Sequence, residues 1–314
     1  MALEHVFILC AGYGTRMGEI GKILPKLLCP VFEEKMLELQ VMYARSLGAK
    51  RIYINSHFLH EQIVEFVNEK KWSDVVLVYE PQLLDVGGGI CNVANFPELQ
   101  NVDQLLILNG DQFYLFDQDF LKKSAQEMGE AHALLFGITV DAGKGYNATI
   151  IENGKLVRIE GPTGKTEPYQ TYSGVSIINL KKLNKLAGPS KFFDTVAPFK
   201  VAPVLMRTPP QAEYWDFGTI ERYFYSTFRL LQVLASGEKS RFLEFCLQSG
   251  VLAQEKIFLE QNAYGQKRFK NTVKLGEGDI LNYESFASIM LGDEGGVSVE
   301  GKGIFYQGIY EPLP

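Results

Sequence analysis

The chain has 314 residues, 46% of them hydrophobic, and carries a formal net charge of −6 with a pI near 5.4. Its length allows a full hydrophobic core, whereas its acidic balance argues against a nucleic acid or an anionic membrane as partner, because both are recruited by basic surfaces. The 4 cysteines form no C-x-x-C pair, and no stretch is apolar enough for a signal sequence or a membrane span. We expect a protein of the reduced cytoplasm, with local cations holding any anionic substrate.

Short apolar runs alternate with amphipathic stretches over the first part of the chain. The strand-like runs are HVFIL, RIYIN, VVLVYE and QLLILNG, and helical stretches such as FEEKMLELQVMYARSLG and HEQIVEFVNE lie between them. Near-continuous apolar strands separated by helices indicate a mostly parallel sheet with helices on both faces. The predicted fold class is therefore α/β, with a doubly wound, Rossmann-like sheet whose ligands lie at the carboxyl ends of the strands.

The pattern then changes to paired strands, AHALLFGITV, YNATII, KLVRIE and TYSGVSIINL, separated by turn-rich pieces such as IENGK. We expect an antiparallel extension of the sheet, closed by the helix TIERYFYSTFRLLQVLAS. A domain boundary is predicted after residue 238, so that residues 1–238 form the main domain and residues 239–314 a small β-rich appendage without a fixed-period repeat. The appendage is predicted either to mediate self-association into a homo-oligomer or to cover the site.

The segment CAGYGTRMG, residues 10–18, follows the first predicted strand and contains three glycines. A glycine turn behind a strand presents backbone N–H groups to phosphate, because glycine has no Cβ to block the ligand. Two known phosphate loops fail on spacing. The dinucleotide fingerprint G-x-G-x-x-G has Met17 where its third glycine belongs, and IEGPTGKTE has Ile159 where a Walker A loop begins with glycine.

A longer stretch, LCAGYGTRMGEIGKILPKLLCPV, resembles the G-x-G-T-R-M and P-K-x-L-x-P-V signature of the sugar-phosphate nucleotidylyltransferases, including the gap between Arg16 and Lys26. EPQLLDVGGGI, LILNGD, TYSGVSIINL and YWDFGTIERY follow in the order of that family's base-reading loop, first metal strand, sugar strand and second metal loop. The resemblance covers roughly residues 5–235. GGGI, YSG and WDFGTIER look closest to the bacterial N-acetylmuramate-1-phosphate uridylyltransferases.

The resemblance implies nucleotidyl transfer from a nucleoside triphosphate, with UTP favoured, to a sugar 1-phosphate, giving an NDP-sugar and pyrophosphate with Mg²⁺ as cofactor. Such a transfer requires charge neutralisation and positioning rather than a covalent nucleophile. The predicted catalytic residues are therefore cations. Arg16 can stabilise the departing pyrophosphate, and Lys26 offers a compact positive charge to the α-phosphate and the sugar phosphate.

The remaining predicted site residues bind metal, nucleotide or sugar phosphate. Asp111 ends a buried strand and Asp216 opens the later loop, and the two are the predicted metal ligands because Mg²⁺ prefers hard oxygen ligands; a turn cap and a helix N-cap are the alternative roles. The predicted nucleotide-binding residues are Ala11, Gly12, Gly14, Thr15, Met17, Gln82, Gly87 and Gly88, with Gly89 and Glu80 considered beside them. The predicted sugar-phosphate-binding residues are Asn109, Tyr146, Asn147, Glu160, Ser173 and Gly174.

Three alternatives stay open. GTP with mannose 1-phosphate is the nearest rival substrate pair within the enzyme class. A catalytically silent, nucleotide-sugar-binding regulatory module is the second, and Gly161 favours it weakly, because many relatives carry a lysine there in the sequence E-K-P. A nicotinamide oxidoreductase is the third, and Met17 argues against it. Lys165 is the neighbouring cation in this chain, although a solvated turn lysine is the preferred interpretation.

Overall fold

The computed structural model describes residues 3–32, 34–250, 273–275, 284–285, 288–291, 298–299, 303–306 and 309–313. The strands are β1 (His5–Leu9), β2 (Pro30–Val31), β3 (Glu34–Lys35), β4 (Arg51–Ser56), β5 (Val75–Tyr79), β6 (Gln104–Asn109), β7 (Gln112–Leu115), β8 (Ala133–Val140), β9 (Ala148–Glu152), β10 (Lys155–Glu160), β11 (Tyr169–Asn179), β12 (Val204–Arg207), β13 (Glu213–Asp216), β14 (Val273–Leu275), β15 (Glu284–Ser285), β16 (Ser288–Leu291), β17 (Ser298–Val299), β18 (Gly303–Tyr306) and β19 (Ile309–Pro312). The helices are α1 (Met36–Ser46), α2 (His60–Lys70), α3 (Asp85–Ala94), α4 (Gln118–Gln126), α5 (Phe192–Thr195), α6 (Ile220–Ser236) and α7 (Arg241–Gln248).

The chain divides into two compact units. The first unit comprises Met1–Gly12, Ala44–His60 and Val64–Tyr214, and the second comprises Tyr13–Tyr43, Glu61–Ile63 and Trp215–Pro314. The division falls within the predicted glycine turn, so residues 10–12 belong to the first unit and residues 13–18 to the second.

A nine-stranded sheet forms the first unit, in the order β5-β4-β1-β6-β11-β8-β12-β10-β9. The strands β5, β4, β1 and β6 run parallel, whereas β11 is antiparallel to both β6 and β8. The α/β class with a parallel, doubly wound part and an antiparallel extension is therefore confirmed. The hairpin between β9 and β10 turns at Asn153 and Gly154, whose φ angles of 50° and 75° suit the type I′ turn that Asn-Gly favours.

The core of the first unit lies on the central strands and on α3. Phe7 on β1, Tyr53 on β4 and Ile107 on β6 are fully buried, and Ile90 and Val93 of α3 pack in the same hydrophobic cluster. Strands of a parallel sheet are buried on both faces, which explains why their sequences are almost continuously apolar rather than alternating.

In the second unit, α6 begins and ends where its sequence predicts. The Thr219 side chain accepts a hydrogen bond from the amide of Arg222 at 3.1 Å, and Gly237 ends the helix with a φ of 69°. Tyr223 and Phe224 of α6 are buried and pack inside the unit, whereas Tyr225 of the same helix is 50% exposed. The predicted closing helix is therefore confirmed. The Ser240 side chain caps α7 in the same way, accepting from the amide of Leu243.

The C-terminal strands pair mostly in parallel, whereas β19 is antiparallel to β18. Val273 pairs with Ile289 and Ser288 with Gly303, separations of 16 and 15 residues, and β15 pairs with β17 in the same direction. Parallel ladders of this kind are typical of stacked β-coils. The unequal separations explain why the sequence shows strands here but no fixed repeat.

Two predictions about organisation stay predictions. The boundary predicted after residue 238 falls within the second unit, and much of the appendage lies outside the described residues. The self-association predicted for the appendage stays a prediction as well. Among the described residues, none of the helices has the length and hydropathy that crossing a membrane would require.

Candidate functional site

The carboxyl ends of β1 and β6 lie side by side in the first unit. Leu9 pairs with Asn109 in parallel register, and the amide of Gly110 donates to the Leu9 carbonyl at 3.0 Å. The turn after β1, which contains Ala11 and Gly12, therefore lies next to the turn that contains Asp111. The structure thus brings predicted nucleotide, sugar and metal residues to one edge of the sheet, the edge at which parallel sheets bind ligands.

A buried Asn55–Glu80 pair supports this edge. The Asn55 side-chain oxygen accepts from the amides of Cys10 at 2.7 Å and Ala11 at 3.1 Å, while its amide nitrogen donates to Glu80 at 2.7 Å. The other Glu80 oxygen accepts from the amide of Leu84 at 3.1 Å. Glu80 is only 1% exposed. This geometry places Glu80 inside the unit rather than at an exposed position where it could contact a base.

The glycine run, which the sequence places where a loop turns into a helix, lies inside the first turns of α3. α3 begins at Asp85, and the amides of Gly87 and Gly88 both donate to the carbonyl of Ser190, at 2.8 and 3.1 Å. A Cβ on Gly88 would lie 2.4 Å from the carbonyl oxygen of Gly188. Close backbone packing against residues 188–195 thus requires glycine here. Nucleotide binding by Gly87, Gly88 and the exposed Gln82 remains a prediction.

Two predicted sugar residues touch each other. The Asn109 side-chain amide donates to Gln112 at 2.8 Å, and Gly174, with a φ of 88°, lies so close that a Cβ would be 2.5 Å from the Asn109 nitrogen. Ser173 is different, because it is fully buried and its hydroxyl donates to the carbonyl of Phe136 at 2.7 Å. That bond makes Ser173 a structural residue of β11 in this state, and its sugar contact remains a prediction.

The other predicted sugar residues lie beside the β9–β10 hairpin. The Tyr146 carbonyl accepts from the hydroxyl of Tyr169 at 2.8 Å, and Asn147 is exposed. Lys165 contacts Glu160 at 2.5 Å with 22% of its side chain exposed, so it is not the fully solvated turn lysine that the sequence favoured. Lys165 and then Arg158 hold the pKa of the Glu160 carboxyl below its ordinary value through hydrogen bonds and charge.

The second unit holds the remainder of the glycine turn. Gly14 has a φ of 65°, and the amide of Met17 donates to the Gly14 carbonyl at 2.8 Å, which closes a short 3₁₀ turn over Thr15–Met17. Thr15 and Arg16 are exposed, whereas Met17 is fully buried and anchors the turn. Among the described residues, no hydrogen bond uses the amides of Gly14 or Thr15. The turn therefore exposes Thr15 and a cationic side chain on a buried anchor.

The half-buried Lys26 begins a second 3₁₀ turn, Lys26–Leu28, in the same unit. The hydroxyl of Tyr223 on α6 donates to the carbonyl of Pro30, so the segment that follows this turn is fixed to α6. Burial raises the pKa of the Tyr223 hydroxyl well above its ordinary value, which keeps it protonated as a donor. α6 begins four residues after Asp216, and the lysine and aspartate segments are thus tied together within this unit.

Asp216 is 6% exposed and already has two partners. One carboxylate oxygen accepts from the amide of Gly218 at 2.7 Å, and the other accepts from the guanidinium of Arg222 at 2.9 Å. Both carboxylate oxygens are therefore held by residues of the same chain segment. In the part of the chain that the structure describes, no three His, Cys, Asp or Glu side chains converge as a ready metal site.

Glu311 of β19 contacts the end of the glycine turn. Its carboxylate accepts from the amide of Glu19 at 2.9 Å, and a Cβ on Gly18 would overlap that carboxylate. Gly18 also has a φ of 62°, which disfavours any other residue. The C-terminal strand therefore holds the last residues of the turn.

The fold is that of an α/β protein with a glycine-containing turn directly after its first strand. A profile of the MobA-like NTP transferase domain family matches residues 6–170. The chain belongs to that family.

Curated relatives match over shorter segments. D-glycero-alpha-D-manno-heptose 1-phosphate guanylyltransferase of Campylobacter jejuni is 30% identical over 120 residues, which are 38% of this chain and 52% of the relative. The bifunctional protein GlmU of Marinobacter nauticus is 30% identical over 160 residues, 51% of this chain and 32% of the relative. A bifunctional sugar-1-phosphate nucleotidylyltransferase/acetyltransferase of Sulfurisphaera tokodaii is 25% identical over 47% of this chain and 33% of the relative. The chain thus spans at most about half the length of these relatives.

Solved structures share the fold. HddC from Yersinia pseudotuberculosis, complexed with GMP-PN, superposes with a TM-score of 0.61 at 20% identity, covering 72% of this chain and 99% of that chain. A glucose-1-phosphate thymidylyltransferase, described as putative, from Bacillus anthracis superposes with a TM-score of 0.60 at 15% identity, over 72% and 94% of the two chains.

Sequence reasoning missed three supporting residues, namely Asn55, Arg222 and Glu311. Asn55 stands at the end of a predicted strand, which is the one local signal of a ligand-edge position. Arg222 follows Asp216 by six residues, at the start of a helix, so its contact could have been inferred from the capped helix. Glu311 lies 292 residues from Glu19 and has no local signal.

Proposed function

We propose that the protein transfers a nucleotidyl group from a nucleoside triphosphate to a sugar 1-phosphate, releasing pyrophosphate. The observation that supports this most is that Ala11 and Gly12, the start of the glycine turn, lie next to the Asn109–Asp111 turn at the carboxyl edge of the parallel strands in a MobA-like NTP transferase domain. The names of the Campylobacter jejuni and Sulfurisphaera tokodaii relatives describe the same reaction type.

The residues divide the task in the proposed reaction. The amides of Gly12, Gly14 and Thr15 bind the phosphates, and Arg16 stabilises the departing pyrophosphate. Lys26 neutralises the α-phosphate and orients the incoming sugar phosphate. Because the reaction needs in-line positioning and charge neutralisation, no covalent nucleophile is assigned.

Mg²⁺ is the proposed cofactor, held by Asp111 and Asp216. Carboxylate oxygens are the hard ligands that Mg²⁺ prefers, and Asp216 is a buried carboxylate whose position is fixed by the Gly218 amide. When bound, Mg²⁺ supplies charge neutralisation at the phosphate oxygens. Arg222 orients the Asp216 carboxylate through its 2.9 Å contact.

UTP is the proposed nucleotide, and GTP is the second candidate. The resemblance of GGGI, YSG and WDFGTIER favours UTP, whereas the guanylyltransferase name of the Campylobacter jejuni relative and the GMP-PN in the Yersinia pseudotuberculosis structure favour GTP. The candidate sugar depends on the nucleotide: an amino sugar goes with UTP, and a heptose or mannose goes with GTP. A silent regulatory module is the remaining alternative.

The test is pyrophosphate release with Mg²⁺ across UTP, dTTP, GTP, CTP and ATP against a panel of sugar 1-phosphates. The panel includes N-acetylmuramate, N-acetylglucosamine, mannose and D-glycero-α-D-manno-heptose 1-phosphates. One productive pair establishes the reaction and names both substrates. Silence across the panel, with nucleotide binding still detected by thermal shift, would favour the regulatory module.

Asp111→Asn is the matched variant for this test. We expect it to abolish Mg²⁺-dependent release while the thermal transition stays within a few degrees, because the turn keeps its shape. Asp119→Asn is the control, since the side chain of Asp119 on α4 is 91% exposed and far from any assigned role. Full activity of Asp111→Asn would remove Asp111 from the site.

A further inference from the structure

The Asn55–Glu80 pair connects two turns of the first unit that are separated in sequence. Through Asn55 it holds the amides of Cys10 and Ala11 in the turn after β1. Through Glu80 it holds the amide of Leu84, the residue before α3. Four hydrogen bonds therefore run from the proposed phosphate turn to the glycine helix.

The pair is buried and its surroundings fix its geometry. Asn55 is 3% exposed, and the backbone carbonyl of Glu80 contacts Nδ1 of His57 at 2.7 Å. Gly89 of α3 packs directly against the pair, because a Cβ there would lie 2.9 Å from Glu80 Oε1 and 3.1 Å from Asn55 Nδ2. A buried polar pair with every one of these bonds made is rigid and is costly to break.

We propose that Asn55 and Glu80 are positioning residues that couple the phosphate turn to the start of α3, so that the nucleotide's phosphates and base are held in one fixed relation. The inference rests on the proposed function for its consequence in catalysis, although the coupling itself concerns only the two turns. Neither side chain touches substrate in this assignment.

The hydrogen-bond donors and acceptors of the pair predict what happens when the amide and the carboxylate are swapped between the two positions. Asn55→Asp sets a second carboxylate oxygen against Glu80 at a separation near 2.7 Å, where the Asn55 amide now donates. Glu80→Gln leaves an NH₂ group facing either the Asn55 amide or the Leu84 amide, so one contact becomes donor against donor. In the double variant Asn55→Asp/Glu80→Gln every donor again meets an acceptor, with the direction of the central bond reversed.

Hydrogen exchange of the backbone amides tests the coupling without any ligand. We expect either single substitution to speed exchange at both Cys10–Ala11 and Leu84 by about tenfold, the loss of one buried hydrogen bond, and the double variant to return exchange to within about threefold of wild type. Asn101→Asp, at an exposed turn of the same unit, controls for the added charge. An effect confined to the turn nearest each substitution, or no recovery in the double variant, would overturn the proposal.

Steady-state kinetics then test the consequence. With the productive nucleotide and sugar 1-phosphate, each single variant should raise the KM for the nucleotide by about tenfold and lower kcat less, and the double variant should restore both. Recovery of exchange without recovery of KM would overturn the catalytic part of the proposal. Wild-type protein without turnover, but with the exchange pattern intact, would instead count against the proposed function and leave the coupling standing.

Discussion

The glycine turn after β1 is shared by the two units, and its two parts are held by different physical means. In the first unit, Cys10 and Ala11 donate to the fully buried Asn55–Glu80 pair. In the second unit, the turn after Gly14 closes on itself, and the Glu311 carboxylate holds its end at Glu19 where solvent reaches it. Buried polar contacts fix the shape of the first part, whereas the second part carries the charged side chain to which the proposed chemistry is assigned. Substitutions in the two parts should therefore move different observables.

Lys26→Ala tests the proposed catalytic cations of the second unit and has the largest expected effect. Loss of one electrostatic contact in a preorganised site lowers kcat by about 10²–10³-fold, or roughly 3–4 kcal/mol of transition-state stabilisation. The free energy of unfolding should change by less than about 0.5 kcal/mol. Lys22→Ala, four residues earlier in the same unit with 67% of its side chain exposed, should keep near-normal turnover. A raised KM with unchanged kcat would instead assign Lys26 to ground-state binding.

Gly89→Ala tests the buried part through its packing. The new Cβ would crowd Glu80 and Asn55 at 2.9 and 3.1 Å, and overpacking of this kind outweighs the helix propensity that alanine gains. We expect the free energy of unfolding to fall by about 1–2 kcal/mol in denaturant titration. Gly161→Ala is the control, because among the described residues nothing lies within 4 Å of its Cβ position and its φ is not positive. Equal stability of the two variants would show that the Asn55 and Glu80 side chains shift to accommodate the new methyl group.

The sequence predicted those parts of the site that depend on local pattern. Apolar runs and glycine spacing locate the turn after β1, and the alternation of strands puts Asp111 at the same edge. The Asn55–Glu80 contact was not predicted, because it depends on the parallel register of β4 and β5, in which Asn55 pairs with Val78. Register is a property of the assembled sheet rather than of either strand.

The glycine run shows a second limit. Three consecutive glycines lower helix propensity by about 1 kcal/mol each, which is why the sequence indicated a loop ahead of the helix. In the structure, α3 nevertheless begins at Asp85, since the close approach of Ser190 to the amides of Gly87 and Gly88 stabilises a helix that propensity disfavours. Tertiary packing therefore determines where α3 begins, and the local sequence gives no sign of that packing.

Glu311→Gln tests the exposed support of the turn more gently. The new side chain keeps an oxygen to accept from the Glu19 amide but removes a negative charge beside the proposed phosphate site. We expect nucleoside triphosphate to bind about 2–5-fold tighter in calorimetric titration, a gain that shrinks as salt is raised. Glu311→Ala removes the acceptor as well and serves for comparison. Weaker binding by Glu311→Gln would mean that the charge itself supports the turn.

The smallest expected effect compares one ion pair from each unit. The Arg45 guanidinium hydrogen-bonds to Asp74 in the first unit and holds the pKa of that carboxyl below its ordinary value of 3.8. A folded-state pKa below the unfolded one contributes stability above the unfolded pKa, and that stability is lost as pH falls through the folded value. Asp74→Asn should therefore cost about 0.5–1 kcal/mol in the free energy of unfolding at pH 7 and less at pH 3, which lies below the unfolded pKa.

The second-unit pair Arg229–Glu238 is the matched comparison for Asp74. About half of each side chain is exposed, 50% and 52%, against 34% and 25% for Arg45 and Asp74. Solvent screens such a pair, and fixing two long side chains costs entropy, so Glu238→Gln should change the free energy of unfolding by less than about 0.5 kcal/mol at either pH. Denaturant titrations of both variants at pH 7 and pH 3 measure the difference directly. A pH-dependent loss of equal size in both variants would mean that the lower exposure of the Arg45–Asp74 pair does not strengthen it. The difference between the two units would then be limited to the two parts of the glycine turn.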